Sequence, residues 1–165
     1  MVVGETARSQ NWALNGYDRP TNPELRKVKG LTSFTQAFTE TNTTHKSVPM
    51  LLSPITAYNF DSIYYQKGII TAFKEAGFRT AFFSNQRYNN SLIDFLGKEA
   101  DTWNFLKERA INANHIVYDD ELLELVSNEL KSRDRKQFIV LPTYGSHFNY
   151  KERYPSEMAF FQPDT

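Results

Sequence analysis

A carboxylate, a run of hydroxyls and an imidazole stand at positions where their chemistry could matter. Glu5 follows Val2-Val3-Gly4, an apolar pair and a glycine. A carboxylate at a buried strand end is a hard oxygen ligand for a divalent cation. The alternative readings are an acid in the first turn of a helix, or a partner for Arg8. Thr41-Asn42-Thr43-Thr44-His45-Lys46-Ser47-Val48-Pro49-Met50 is a hydroxyl-rich turn that enters a helix. Ser47 reads as its N-cap, with Pro49 in the first turn, where an early N–H has no partner. A hydroxyl at such an entry meets unpaired N–H groups and the positive end of the helix dipole, which suits an anion or a phosphorylated intermediate. To act as a nucleophile it needs a metal or a base to deprotonate it. The plainer reading is that these threonines only cap and turn. His147, in Gly145-Ser146-His147, could donate to a phosphate or act as a general acid, or could be a structural histidine. His115, before Ile116-Val117, reads as structural, and His45 neighbours the hydroxyl run. The sequence has no His-x-x-x-His pair, Gly-x-Ser-x-Gly elbow, P-loop or dinucleotide fingerprint.

The elements that must position these groups alternate in period. Val2-Val3, residues 79–84 (RTAFFS) and residues 137–141 (QFIVL) are apolar runs that predict buried strands. Residues 32–38 alternate enough to predict another. Asp61 reads as the cap of a helix with Ile63, Tyr64, Ile70 and Phe73 on its apolar face, closing at Gly77. Acids at Asp119, Asp120 and Glu121 open a second helix, with Leu122, Leu123, Val126 and Leu130 on one face and basic residues from Lys131 to Lys136. Residues 85–90 and 104–114 read as loops or irregular helix ends. Strand, helix, strand, helix, strand predicts an α/β fold, a parallel-rich sheet flanked by helices. Three strands run apolar and then break into polar residues: Gly4-Glu5-Thr6, Ser84-Asn85-Gln86, and Thr143-Tyr144-Gly145-Ser146-His147. Ligands bind outside the carboxyl ends of strands in open parallel sheets, so one shared pocket on one edge is predicted.

Composition narrows the class. Nineteen basic and nineteen acidic residues cancel, which argues against a polyanion-binding surface and so against nucleic acid. Without cysteine there is neither a disulfide framework nor a thiolate metal site. Apolar runs such as residues 138–142 fall far short of the roughly 20 residues of a membrane span. The chain opens on an apolar strand and closes on Phe160-Phe161-Gln162-Pro163-Asp164-Thr165; both ends read as cuts within a longer protein.

Taken together and in order, these motifs resemble the phosphoethanolamine transferases of the alkaline phosphatase/sulfatase superfamily, including the lipid A-modifying enzymes of polymyxin resistance. Val2-Val3-Gly4-Glu5-Thr6-Ala7-Arg8 resembles the family's first strand and metal-ligand segment. Leu14-Asn15-Gly16-Tyr17-Asp18-Arg19 with Thr21-Asn22-Pro23 is similar to its "LNGYxRxTNP" signature. Thr44-His45-Lys46-Ser47-Val48-Pro49-Met50 is similar to the nucleophile helix. Ser84-Asn85-Gln86 resembles a phosphate-side loop, and Gly145-Ser146-His147 with Tyr150-Lys151 and Arg153-Tyr154-Pro155 resembles "GSHGPxYxxRYP".

The resemblance implies a partial sulfatase-like catalytic domain over residues 1–165, truncated at both ends. Glu5 would be a zinc ligand, and Thr44 both nucleophile and ligand. Thr44 would take phosphoethanolamine from phosphatidylethanolamine and pass it to lipid A or another glycan. His147 would contact the transferred phosphate, assisted by Asn85 or Gln86. It further implies an anchor in the bacterial inner membrane, with the catalytic domain facing the periplasm. The family's "SDHGE" segment, which completes the zinc shell, is not in the sequence, and Phe148 stands where the family has glycine. Weak metal binding and no turnover are therefore expected of these 165 residues alone. A sulfatase or phosphoglycerol transferase of the same superfamily, and a non-catalytic domain of the same fold, are the other readings.

Overall fold

The β-branched and aromatic run Arg79-Thr80-Ala81-Phe82-Phe83-Ser84 suits a pleated, buried surface, and it forms β2 (Arg79–Ser84), buried from Thr80 onward. The structure, a computed structural model, describes residues 1–109, 116–132 and 135–162. Successive side chains of β2 point to opposite faces and feed two cores. Phe82 packs with Leu52, Ile63, Ile70, Leu96 and Val140 on one face. Ala81 and Phe83 meet Leu106, Val117 and Leu122 on the other. β4 (Gln137–Pro142) runs parallel beside β2, with Ala81 opposite Ile139. β1 (Val2–Val3) follows on the far side of β4, with Val3 opposite Pro142. β3 (Thr102–Phe105) pairs parallel on the other flank of β2.

The sheet order is β1-β4-β2-β3 and every pairing is parallel, so both faces must be covered by helices. α1 (Thr44–Leu52), α2 (Ile69–Glu75) and α3 (Leu92–Gly97) cover the first core, and α4 (Leu122–Glu129) the second. The predicted α/β class, a parallel sheet flanked by helices, is what is found. Among the described residues no helix is long and apolar enough to cross a membrane.

Several local expectations are corrected. Residues 32–38 form no strand: Phe34 and Phe38 are 77% and 91% exposed. An alternating pattern becomes a strand only when a neighbour takes its N–H and C=O groups, and among the described residues no strand pairs with this one. α1 starts at Thr44, with Thr43 in the cap position. Ser47 is already inside it, its N–H donating to Thr43 O at 2.9 Å, and Pro49 lies buried beyond the first turn. Asp61 falls in a 3₁₀ stretch, Ala57–Tyr65, interrupted at Asn59. α2 begins later because a distant carboxylate caps it. Glu99 accepts from Gly68 N–H at 2.8 Å and from the Thr71 N–H and hydroxyl at 3.2 and 2.8 Å.

The close of α2 is as predicted. Gly77 has φ +84°, its N–H donates to Lys74 O, and Phe78 N–H reaches Phe73 O, both at 3.0 Å. This is the paired 5→2 and 6→1 bonding of a Schellman ending, sealed by Phe73 and Phe78 edge to face at 4.9 Å. In α4, Leu122 is buried but Leu123 is exposed, because neighbours in a helix cannot share one face; Leu130, just past the end of the helix, is exposed as well. Residues 85–90 do form a loop. Asn104 and Phe105 instead end β3, and Leu106–Arg109 is a 3₁₀ turn; the rest of that stretch and His115 lie outside the described residues. α3, unread in the sequence, has a Ser-x-x-Asp capping box in which Ser91 Oγ accepts from Asp94 N–H and Asp94 from Ser91 N–H.

Candidate active site

All three polar strand ends lie on the same carboxyl edge, because the strands are parallel and in register. Glu5 follows β1, and α1 delivers Thr44 to it. Thr44 Oγ1 donates to Glu5 Oε2 at 2.9 Å, across 39 residues of sequence. Thr6 Oγ1 donates to Glu5 Oε1 at 2.8 Å, so each carboxylate oxygen holds one threonine hydroxyl. Arg8 donates instead to Gln10 at 3.1 Å, so the structure does not form the Glu5–Arg8 pair. Thr44 is the first residue of α1; its hydroxyl therefore stands where the helix presents unpaired N–H groups.

The loop after β4 closes against Glu5. Ser146 N–H donates to Glu5 O at 3.0 Å, and Thr143 N–H reaches Val3 O at 3.0 Å. Asp119, at the 3₁₀ turn leading into α4, clamps this loop. Its Oδ1 accepts from Tyr144 N–H and its Oδ2 from Gly145 N–H, both at 2.8 Å.

Asn85 is 1% exposed. Its Nδ2 donates to Asp119 Oδ1 at 2.9 Å and to Val117 O at 3.1 Å. Gln86 Nε2 donates to Thr143 O at 3.1 Å. Both amide donors are thus tied to the protein, where they brace the β4 loop. Asp119 is the residue that sequence reasoning missed here. It was legible as an acid at a helix start, but the loop it holds is 25 residues away.

His147 rides on this braced loop. Its ring stacks on Tyr144 at 4.9 Å and 9° and tilts against Phe148 at 4.0 Å. Its Nδ1 is buried with no hydrogen-bond partner among the described residues. Tyr144 carries cations as well: Lys107 Nζ lies 3.2 Å from its ring centroid and the Arg153 guanidinium 4.1 Å. Burial, followed by the charges of Arg153 and Arg87, pushes the Lys107 amine down from 10.5 to about 8. His45 is elsewhere, lining a cavity of about 590 Å³ with Tyr64 and Phe95.

Glu5 and Thr44 offer two adjoining oxygens, which fit one edge of a zinc shell in kind. Among the described residues no group of three His, Asp or Glu side chains converges to hold a metal ion. The arrangement holds a hydroxyl against a carboxylate, with the loop that carries His147 fastened to the same residue through Ser146 N–H.

The sequence matches the Sulfatase family model across residues 1–165. The phosphoethanolamine transferase EptA of Escherichia coli K12 is 30% identical over 166 residues, 99% of this chain and 30% of that protein. The C-terminal periplasmic domain of EptC from Escherichia coli, solved in complex with zinc, superposes with a TM-score of 0.89 at 26% identity, covering 99% of this chain and 48% of that one. The integral membrane lipooligosaccharide phosphoethanolamine transferase A (EptA) of Neisseria meningitidis has a TM-score of 0.83 at 28% identity, covering 99% of this chain and 31% of that one. The chain thus spans less than a third of the curated relative and about half of the solved periplasmic domain. Over its whole length the chain belongs to the sulfatase family, with phosphoethanolamine transferases among its relatives.

Proposed function

We propose that this chain carries the nucleophile half of a phosphoethanolamine transferase, with Thr44 as the attacking group. The observation behind this reading is the Thr44 hydroxyl held on the Glu5 carboxylate at 2.9 Å. Thr44 Oγ forms a bond to the phosphorus of phosphatidylethanolamine while the phosphorus–oxygen bond to diacylglycerol breaks. The hydroxyl proton moves onto Glu5 Oε2 and ends on the diacylglycerol oxygen. A hydroxyl of lipid A or another glycan then attacks the phosphothreonine phosphorus while its bond to Thr44 Oγ breaks, and the acceptor's proton passes by way of Glu5 to restore the Thr44 hydroxyl. His147 donates to the phosphoryl oxygens from the loop that Ser146 N–H fastens to the Glu5 carbonyl at 3.0 Å. Asn85 and Gln86 hold the strand ends in place through the bonds they make to Asp119 and Thr143.

Glu5 and Thr44 are the groups of this chain that would hold zinc. Zinc bound there would lower the hydroxyl pKa and offset phosphoryl charge. Its remaining ligands would come from outside these 165 residues, and the likeness to membrane-anchored relatives supports a catalytic domain facing the periplasm from the inner membrane.

The test is intact-mass analysis of the full-length protein after exposure to phosphatidylethanolamine, wild type beside Thr44→Ala. An adduct with the mass of phosphoethanolamine that requires Thr44 supports the reading. Its absence from wild type, with zinc present and the fold intact, removes it. An adduct from phosphatidylglycerol alone would favour a phosphoglycerol transferase.

A further inference from the structure

Beside His147 lies a group of cations that the reaction above does not use. Lys107 comes from the 3₁₀ turn after β3, Arg153 from the segment after the β4 loop, and Arg87 from the loop after β2. Three separate elements therefore bring positive charge to the carboxyl edge of the sheet. Lys107 Nζ and the Arg153 guanidinium both lie over the Tyr144 ring, at 3.2 and 4.1 Å. The same ring stacks on His147.

Like charges do not gather on one ring without cost. Lys107 is half-buried, and among the described residues no carboxylate lies within ion-pair distance of it. The nearby acids are otherwise engaged: Asp119 by backbone N–H groups, and Glu152 by the terminal nitrogen of Arg153 at 3.3 Å. Among the described residues, Arg153 Nε and His147 Nδ1 are both buried without a partner. Desolvation together with Arg153 and Arg87 disfavours the charged amine, against a smaller opposing pull from Asp119 and Glu152. An aromatic face lessens the repulsion but takes no hydrogen bond of ordinary strength. A half-desolvated amine without an ion pair among the described residues, sharing a ring with a guanidinium, is what an oxyanion completes.

We infer that Lys107 and Arg153, seated on Tyr144 beside His147, form a second anion subsite for a phosphate-class group. Its part in transfer rests on the proposed function, where the group would be the donor's phosphodiester or a phosphate on the acceptor. As an anion site it stands on the geometry alone. Tyr144 fixes the height of both cations, and His147 joins the subsite to the position of the transferred phosphoryl group.

The first experiment titrates the Lys107 13Cε resonance in lysine-labelled full-length protein, with and without saturating inorganic phosphate, and Lys107→Arg supplies the assignment. The titration midpoint is expected to move from about 8 toward the ordinary 10.5 when phosphate binds. A midpoint that phosphate leaves unmoved overturns the inference. Thr44→Ala should show the same movement, so failure of the nucleophile assignment is distinguishable from failure of this one. Phosphate affinity should fall about tenfold in Lys107→Gln, as for loss of a charged hydrogen bond. The half-reactions name the source. Slower loading of Thr44 from phosphatidylethanolamine in Lys107→Gln assigns the donor's phosphate. Slower discharge to a phosphorylated glycan, with loading unchanged, assigns the acceptor's.

Discussion

Gly145 lies backbone to backbone against Glu5: a Cβ on Gly145 would stand 2.7 Å from the Glu5 carbonyl oxygen and 3.1 Å from its nitrogen. With φ at +50°, the residue is also in a region that side chains disfavour. The ends of β1 and β4 approach this closely because the approaching residue has no side chain. The contact seats the loop that carries His147.

Gly145→Ala should therefore cost about 1–3 kcal/mol from backbone strain alone, with a further loss from displacing Glu5. Urea unfolding reads the stability. Because the displaced atoms include Glu5, loading of Thr44 should fall as well, even at temperatures where the variant is fully folded. A variant of wild-type stability and wild-type loading would show that the contact does not position the site.

Glu5→Gln keeps the size of the side chain and one acceptor but removes its charge. Loading of Thr44 should slow by about a hundredfold or more, the scale for loss of a positioned proton acceptor. Because Gln can still accept from the Thr44 hydroxyl, stability should change little. A time course of intact mass gives the rate, and thermal unfolding checks the fold.

Asp119→Ala leaves the Tyr144 and Gly145 N–H groups without their acceptor. A buried unsatisfied donor costs about 1–3 kcal/mol, so the variant should lose at least that much. The loss is local, and hydrogen exchange at the Gly145 amide should speed up before global unfolding does. Asp119→Asn should fall between, since a carboxamide has one acceptor oxygen where the carboxylate has two.

Asp101 ties the edge strand to the centre. Its carboxylate accepts from Thr80 N–H and hydroxyl, both at 3.0 Å, and pairs with Lys74 at 2.8 Å. The Lys74 hydrogen bond first, then that of Thr80 N–H, lowers its carboxyl from 3.8 to about 2. A depressed carboxyl stabilises the fold above its unfolded value and loses that contribution as pH falls through the folded value. Wild type should thus be more stable than Asp101→Ala at neutral pH, with the advantage shrinking from about pH 4 to pH 2. Urea midpoints across that range test it; a pH-independent gap would mean that the charge is not what matters.

Much of the frame was legible from local pattern. β2 and β4 are short apolar runs bounded by polar residues, and they end within a residue of where that pattern ends. The end of α2 was legible because Gly77 itself takes the left-handed conformation there. Its start was not, since the capping carboxylate, Glu99, lies 31 residues from Gly68. β3 is four residues at the edge, with Trp103 half exposed, too short for its alternation to stand out.

The site divides in the same way. Residue types and motif order, by themselves, determined which chemistry was on offer: a carboxylate after β1, hydroxyls at a helix entry, an imidazole after β4. They also determined that the three polar strand ends share one edge, because apolar runs joined by helices make a parallel sheet whose strands all end on the same side. Only the tertiary structure decided that the Thr44 hydroxyl meets Glu5, that Asn85 faces Asp119 and the protein interior, and that Lys107 and Arg153 share one tyrosine ring. Hydrogen bonds and charge contacts act over a few ångströms, and the residues that make these four are between 9 and 39 positions apart. No local period carries that information; packing of the helices on the sheet does.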